Sequence, residues 1–189
     1  MVHPYLSYCS IIWASNYPAR LKTLEMLQKR AIRVIVGCSY FASAEPLFKS
    51  TNILPVKQLQ LYQTAEFMYK YYNHNLPSAF SGYYTQVAEL TPYYLRSDAN
   101  FRPSFARTNT RKFSIKIMGP MIWNRLSLNI RTVSSLSLFK FKVHSFLMDT
   151  LGTDLNLWVL KYDSDWVNNN KFNNCGIGNR WCYNNGNHS

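Results

Sequence analysis

Residues 111–126 read Arg111-Lys112-Phe113-Ser114-Ile115-Lys116-Ile117-Met118-Gly119-Pro120-Met121-Ile122-Trp123-Asn124-Arg125-Leu126. Four cations are threaded through an apolar, aromatic segment that a Gly-Pro pair redirects. Phe113, Ile115 and Ile117 alternate with Ser114 and Lys116, a period of two that predicts a short strand. Gly119-Pro120 is then expected to open a short helix through Trp123. Trp123 lies beside Ile122 and Leu126 and reads as a core residue, not a stacking platform.

Just upstream, Arg107 joins Arg111, Lys112 and Lys116, with Phe105 and Phe113 among them. Cations beside flat rings suit phosphate contacts and base stacking on nucleic acid. The same residues also fit a surface loop whose rings turn inward.

The helical signals lie mostly before and after this stretch. Leu6, Cys9 and Trp13 recur at near-helical spacing over residues 4–14. Residues 19–36 predict a longer helix with Leu24, Leu27, Ala31, Val34 and Ile35 on one face. Lys22, Lys29 and Arg33 fall on the opposite face, where they either track a phosphate backbone or form a solvated surface. Gly37 suits the stop. A short helical turn is expected near Pro46-Leu47-Phe48. Pro55 suits the first position of a second long helix, residues 55–73, whose apolar pattern is less clean and is broken by Gln63. Tyr69, Tyr71 and Tyr72 read as core with hydroxyls at the surface. Residues 78–110 carry no firm period and read as an ordered loop with short strands. Ser137 suits the cap of a last helix, residues 138–151, with Phe139, Val143, Phe146 and Leu147 inward. His74 and His144 read as helix-surface residues.

The charge is unevenly spread. Residues 1–148 hold 18 Lys/Arg against 5 Asp/Glu, while residues 149–189 are nearly balanced. A basic span of this kind attracts polyanions. Beyond Asp163 nine of the last 27 residues are Asn, a composition too poor in apolar groups to offset ordering, so residues 151–189 are expected to be a disordered tail. Cys9, Cys38, Cys175 and Cys182 are too scattered for a disulfide scaffold. Cys175, Cys182 and His188 lack the short paired spacing of structural zinc sites. Neither a secretory leader nor a run of about 18 apolar residues is evident. The expectation is an intracellular protein, nuclear or cytoplasmic, with no membrane partner.

The Ser-Ile-Lys-x-x-Gly-Pro-x-Ile-Trp-Asn-x-Leu block of residues 114–126 resembles one near the C-terminus of reverse transcriptases of jockey-like, LINE-type (non-LTR) retrotransposons. Further blocks similar to that family occur in the family's order: His3-Pro4-Tyr5-Leu6-Ser7-Tyr8-Cys9-Ser10-Ile11-Ile12-Trp13, Leu27-Gln28-Lys29-Arg30-Ala31-Ile32-Arg33-Val34-Ile35, Asn52-Ile53-Leu54-Pro55-Val56, Arg107-Thr108-Asn109 and Leu136-Ser137-Leu138-Phe139-Lys140. The family has Tyr-x-Thr-Arg where this chain has Tyr93-Tyr94-Leu95-Arg96, and Pro where it has Ser127. The resemblance spans roughly residues 3–148. It implies the thumb and post-thumb region of an RNA-directed DNA polymerase, which grips RNA, DNA or an RNA–DNA hybrid beside the catalytic palm.

The chemistry of that palm is missing from this sequence. A polymerase needs converging carboxylates for two metal ions. The family's aromatic-x-Asp-Asp motif is absent, as are Gly-rich phosphate loops, G-x-S-x-G, H-E-x-x-H and C-x-x-C. The expectation is therefore a mainly α-helical domain over residues 1–150, non-catalytic and without cofactor or metal. Its expected nucleic-acid contacts are Lys22, Lys29, Arg33, Arg107, Arg111, Lys112, Phe113 and Lys116. The other reading is a host protein- or RNA-interaction module.

Overall fold

The computed structural model describes residues 3–15, 18–90 and 99–151, which belong to one unit running to Leu151. These residues are mainly helical, as expected. The helices are α1 (His3–Ser7), α2 (Ser10–Trp13), α3 (Pro18–Val36), α4 (Ala44–Thr51), α5 (Val56–Tyr72), α6 (Asn109–Lys112), α7 (Ile115–Arg125), α8 (Leu128–Arg131) and α9 (Leu136–Asp149). The polar tail and Tyr93-Tyr94-Leu95-Arg96 lie outside the described residues.

Helix α5 is the centre, and α1, α2, α3, α7 and α9 all pack against it. Val56, Leu59, Leu61, Thr64, Ala65, Met68 and Tyr69 are buried along it. Being covered on several sides removes the single apolar stripe that a surface helix shows, which explains the unclean periodicity. Its polar residues are accounted for. Gln63 accepts a hydrogen bond from Ser10 Oγ (2.6 Å) and donates to the Ser7 carbonyl (2.6 Å). Gln60 Nε2 donates to Ser15 Oγ (3.1 Å). What reads in sequence as a polar break is the attachment of α1 and α2.

Several expectations need correction. The continuous helix over 4–14 is two short ones, because Cys9 takes a left-handed conformation with φ 51°. The face of α3 turned inward is not the one chosen from sequence. Leu21, Gln28 and Ile32 are buried, whereas Leu27, Val34 and Ile35 are 53%, 81% and 68% exposed. A polar residue heads the buried face: Gln28 Nε2 donates to the Leu54 carbonyl (3.0 Å) and its Oε1 accepts from Val56 N–H (2.9 Å). The side-chain amide thus bonds the backbone on both sides of Pro55. Periodicity of apolar residues alone misses such a face.

The strand expected over 113–117 is helix. Thr108 caps α6 through Oγ1, which accepts from Arg111 N–H (3.3 Å), and Ser114 takes the N-cap position of α7. The helix runs through Gly119-Pro120 instead of starting there, and buries Ile117, Met118, Ile122 and Trp123. Helical burial at i, i+1, i+5 and i+6 outweighs the local alternation. Among the described residues of the middle segment the expected short strands reduce to one isolated antiparallel bridge, Gln86 with Phe101, beside two 3₁₀ turns.

Other expectations hold with small shifts. Three helices end alike. Gly37, Asn52 and His74 have φ of 72°, 54° and 55°, and the following residue donates back into the last turn: Cys38 to Arg33, Ile53 to Phe48, Asn75 to Lys70. Pro55 is the N-cap residue of α5, just outside the helix, and Ser135, not Ser137, takes that position in α9. Phe139, Val143 and Leu147 are buried, with Phe146 half-buried. Ser127 holds φ −61°, a value proline also adopts.

The core is aromatic. Trp123 is fully buried and neighbours Tyr72, Phe101 and Phe139, with centroids 5.3–6.2 Å apart. Tyr69 stacks on Phe139 at 4.3 Å and donates its hydroxyl to the Val133 carbonyl (2.8 Å). Tyr71 Oη donates to the Tyr84 carbonyl (3.0 Å) and accepts from Tyr84 N–H (3.1 Å). The Tyr69 and Tyr71 hydroxyls are therefore structural, contrary to the surface position expected, while Tyr72 is exposed. Asn124 grips Phe101 in the same two-bond fashion: Oδ1 accepts from its N–H (2.9 Å) and Nδ2 donates to its carbonyl (2.8 Å). A smaller cluster of Ile32, Ala44, Phe48 and Leu151 joins α3, α4 and the end of α9.

Gly119 is required by close approach. A methyl there would sit 2.7 Å from Met68 Sδ and 2.8 Å from the Tyr84 hydroxyl. That hydroxyl is held by a bond to the Ile115 carbonyl (2.8 Å), and burial pushes its pKa far above the ordinary phenol value. Gly119→Ala is therefore expected to destabilise by about 1–2 kcal/mol, overpacking exceeding the gain in helix propensity. Chemical denaturation checks this, and an unchanged or raised midpoint would contradict it.

Glu66 ties α5 to α9. Its carboxylate lies 2.8 Å from Lys70 Nζ and 3.0 Å from Lys140 Nζ. Burial acts to raise its pKa, but the hydrogen bonds and charge of the two lysines outweigh this and leave it below the ordinary carboxylate value. A depressed folded pKa contributes stability above the unfolded value and loses it as pH falls through the folded one. Glu66→Gln is expected to lower stability at pH 7 by about 0.5–1 kcal/mol, since the lysines are over a third exposed. The gap should shrink as pH falls below the ordinary carboxylate value, as followed by denaturant titration at neutral and acid pH.

Candidate nucleic-acid interface

The cations of residues 107–116 gather at the corner between α6 and α7. Thr108 starts the short α6, and Ser114 turns the chain into α7, its Oγ donating to the Arg111 carbonyl (2.7 Å). This corner leaves Arg107 and Arg111 exposed, while Lys112, Phe113 and Lys116 are half-buried. Lys116 Nζ lies 4.9 Å from the centre of the Tyr83 ring, a cation–π contact that fixes the lysine against the turn around residue 83. Arg107 and Arg111 are thus the residues of this set best placed to meet a polyanion. Phe105 is 58% exposed beside them. Phe113 is less open than Phe105, so the ring singled out by its position in sequence is not the one most available for stacking.

The second set lies on α3. Lys22 and Lys29 are exposed, as expected for its solvent face. Arg33 differs: its Nε donates to the Ala42 carbonyl (2.8 Å), and its guanidinium lies 5.9 Å from the Tyr40 ring centre. It fastens the loop after Gly37. Helix α3 packs chiefly on α4 and α5, whereas α7 packs on α5 and α6. The two basic sets are therefore carried by different helices, both packed on α5.

Two residues of the surface escaped the sequence reading. Arg30 stands 5.8 Å from the same Tyr40 ring and its Nη2 donates to the Tyr40 hydroxyl (3.4 Å). The available signal was the Arg30/Arg33 spacing of one helical turn, followed by Tyr40-Phe41 just past the helix stop.

The histidines resolve differently. His74 is the left-handed residue after α5, and half-buried His144 packs edge-on against Tyr62, centroids 6.2 Å apart. Among the described residues no three His, Cys, Asp or Glu side chains gather as metal ligands, and no helix is long and apolar enough to cross a membrane. Cys175, Cys182 and His188 lie outside the described residues. In comparisons with protein-family models, with curated proteins and with solved structures, nothing matches this chain.

Proposed function

We propose that this chain binds RNA, DNA or an RNA–DNA hybrid without catalysing a reaction, as the thumb and post-thumb part of a non-LTR retrotransposon RNA-directed DNA polymerase whose palm is encoded elsewhere. The observation that carries this reading is the ordered series of sequence blocks over residues 3–148, which coincides with the basic part of the chain. The exposure of Lys22, Lys29, Arg107 and Arg111 supports it. Absence of a carboxylate pair supports the non-catalytic half. A second reading, a protein-interaction module, draws on the exposed apolar residues Leu27, Val34, Ile35 and Phe41 on and after α3.

Binding of labelled single-stranded RNA, DNA and hybrid across a salt series tests the proposal. Two phosphate contacts, from the exposed Arg107 and Arg111, give a log–log slope of about −1.4, at about 0.7 per contact on a single strand. Charge reversal at Arg107 and Arg111 is expected to remove that slope. Phe105→Ala is expected to weaken binding with the slope kept, because a ring contributes stacking and no charge. A folded protein that binds none of the three at low salt would sink the reading. Primer extension above a heat-killed control would remove its non-catalytic half.

A further inference from the structure

A cleft of about 440 Å³ opens where α3 ends, lined by Arg30, Arg33, Val34, Cys38 and Tyr40. Its volume falls in the range of small-ligand sites. The two guanidinium groups lie one helical turn apart and both approach the Tyr40 ring, at 5.8 and 5.9 Å from its centre. No carboxylate among the described residues pairs with either. Holding two like charges together without a counter-charge is unfavourable, and an anion between them relieves the repulsion. Arg33 spends its Nε on the Ala42 carbonyl, which orients the group and leaves its terminal nitrogens without a partner among the described residues. Arg30 makes one long bond, to the Tyr40 hydroxyl at 3.4 Å.

The remaining walls narrow the ligand. Val34 and Tyr40 are 81% and 59% exposed, and Phe41, 91% exposed, meets Tyr40 edge-on with centroids 5.5 Å apart. A ligand seated between the arginines has apolar and aromatic surface beside it. Guanidinium forks match the oxygens of a phosphate group.

We propose that this cleft is a binding site for a phosphate monoester carried on an aromatic group, with Arg30 and Arg33 holding the phosphate and Tyr40 and Val34 contacting the ring. The site does not depend on polynucleotide binding at the α6–α7 corner, because it recognises a small ligand at residues of α3 and the loop after it.

Cys38 lines the cleft and is exposed, so it reports occupancy. The experiment measures the rate of Cys38 alkylation by iodoacetamide in the full chain, site-resolved by peptide mass mapping, with Cys9 as an internal reference. Phenyl phosphate is the probe, inorganic phosphate the comparison, and sodium chloride holds ionic strength constant. Phenyl phosphate at ten times its dissociation constant is expected to slow Cys38 about tenfold and to leave Cys9 unchanged. Inorganic phosphate should need a higher concentration for the same effect. Arg30→Ala should abolish protection, with the melting transition confirming that the variant folds. Arg20→Ala removes the same charge from the exposed start of α3 and should keep protection. The proposal is overturned by absence of protection, by equal loss in Arg20→Ala, or by equal protection from inorganic phosphate.

Discussion

Buried backbone in irregular segments must find hydrogen-bond partners that a sheet or helix would otherwise supply. This fold meets the requirement with side chains. Gln28 bonds the carbonyl of Leu54 and the N–H of Val56, Tyr71 bonds both backbone groups of Tyr84, and Asn124 bonds both of Phe101. Each behaves as a one-residue strand edge. Through them the connection into α5 and the aromatic middle segment are fixed to α3, α5 and α7 without a ladder. The packing of Trp123, Phe101 and Tyr84 depends on these grips, since a ring enters the core only when its backbone can follow.

The same device explains much of the block that carries the family resemblance. In residues 114–126, Ser114 takes the N-cap position of α7, Gly119 admits Met68 and Tyr84, Trp123 fills the core, and Asn124 grips Phe101. These are architectural roles. The block reads as the framework on which a basic corner is mounted: Lys116 within it lies on Tyr83, and Arg111 just before it is exposed.

Legibility followed the kind of signal. Helix existence, the stop at Gly37, the inward face of α9 and the burial of Trp123 were readable because caps and apolar spacing are local. The inward face of α3 was not, because its centre is Gln28 and several apolar residues near its end, Val34 and Ile35 among them, stay exposed. The alternation at Phe113, Ile115 and Ile117 misled for a related reason: α7 buries Ile117 and Met118 together against α5, a choice made by tertiary contact. Within the candidate site, Lys22, Lys29, Arg107 and Arg111 stand where charge patterning put them. Lys116 is diverted by Tyr83, a partner distant in sequence, and Arg33 by Tyr40 and Ala42 just past the stop of α3.

The Asn124 grip has a consequence for how the molecule opens. The Phe101 N–H is bonded by the side chain of Asn124 in the last turn of α7, so its exchange with solvent is tied to the opening of that turn. Releasing it requires the Asn124 amide to let go of both backbone groups, and the ring of Phe101, 1% exposed, must leave Trp123 in the same event. The segment around Phe101 is therefore joined to the helical core as one cooperative unit, and opens with it instead of ahead of it.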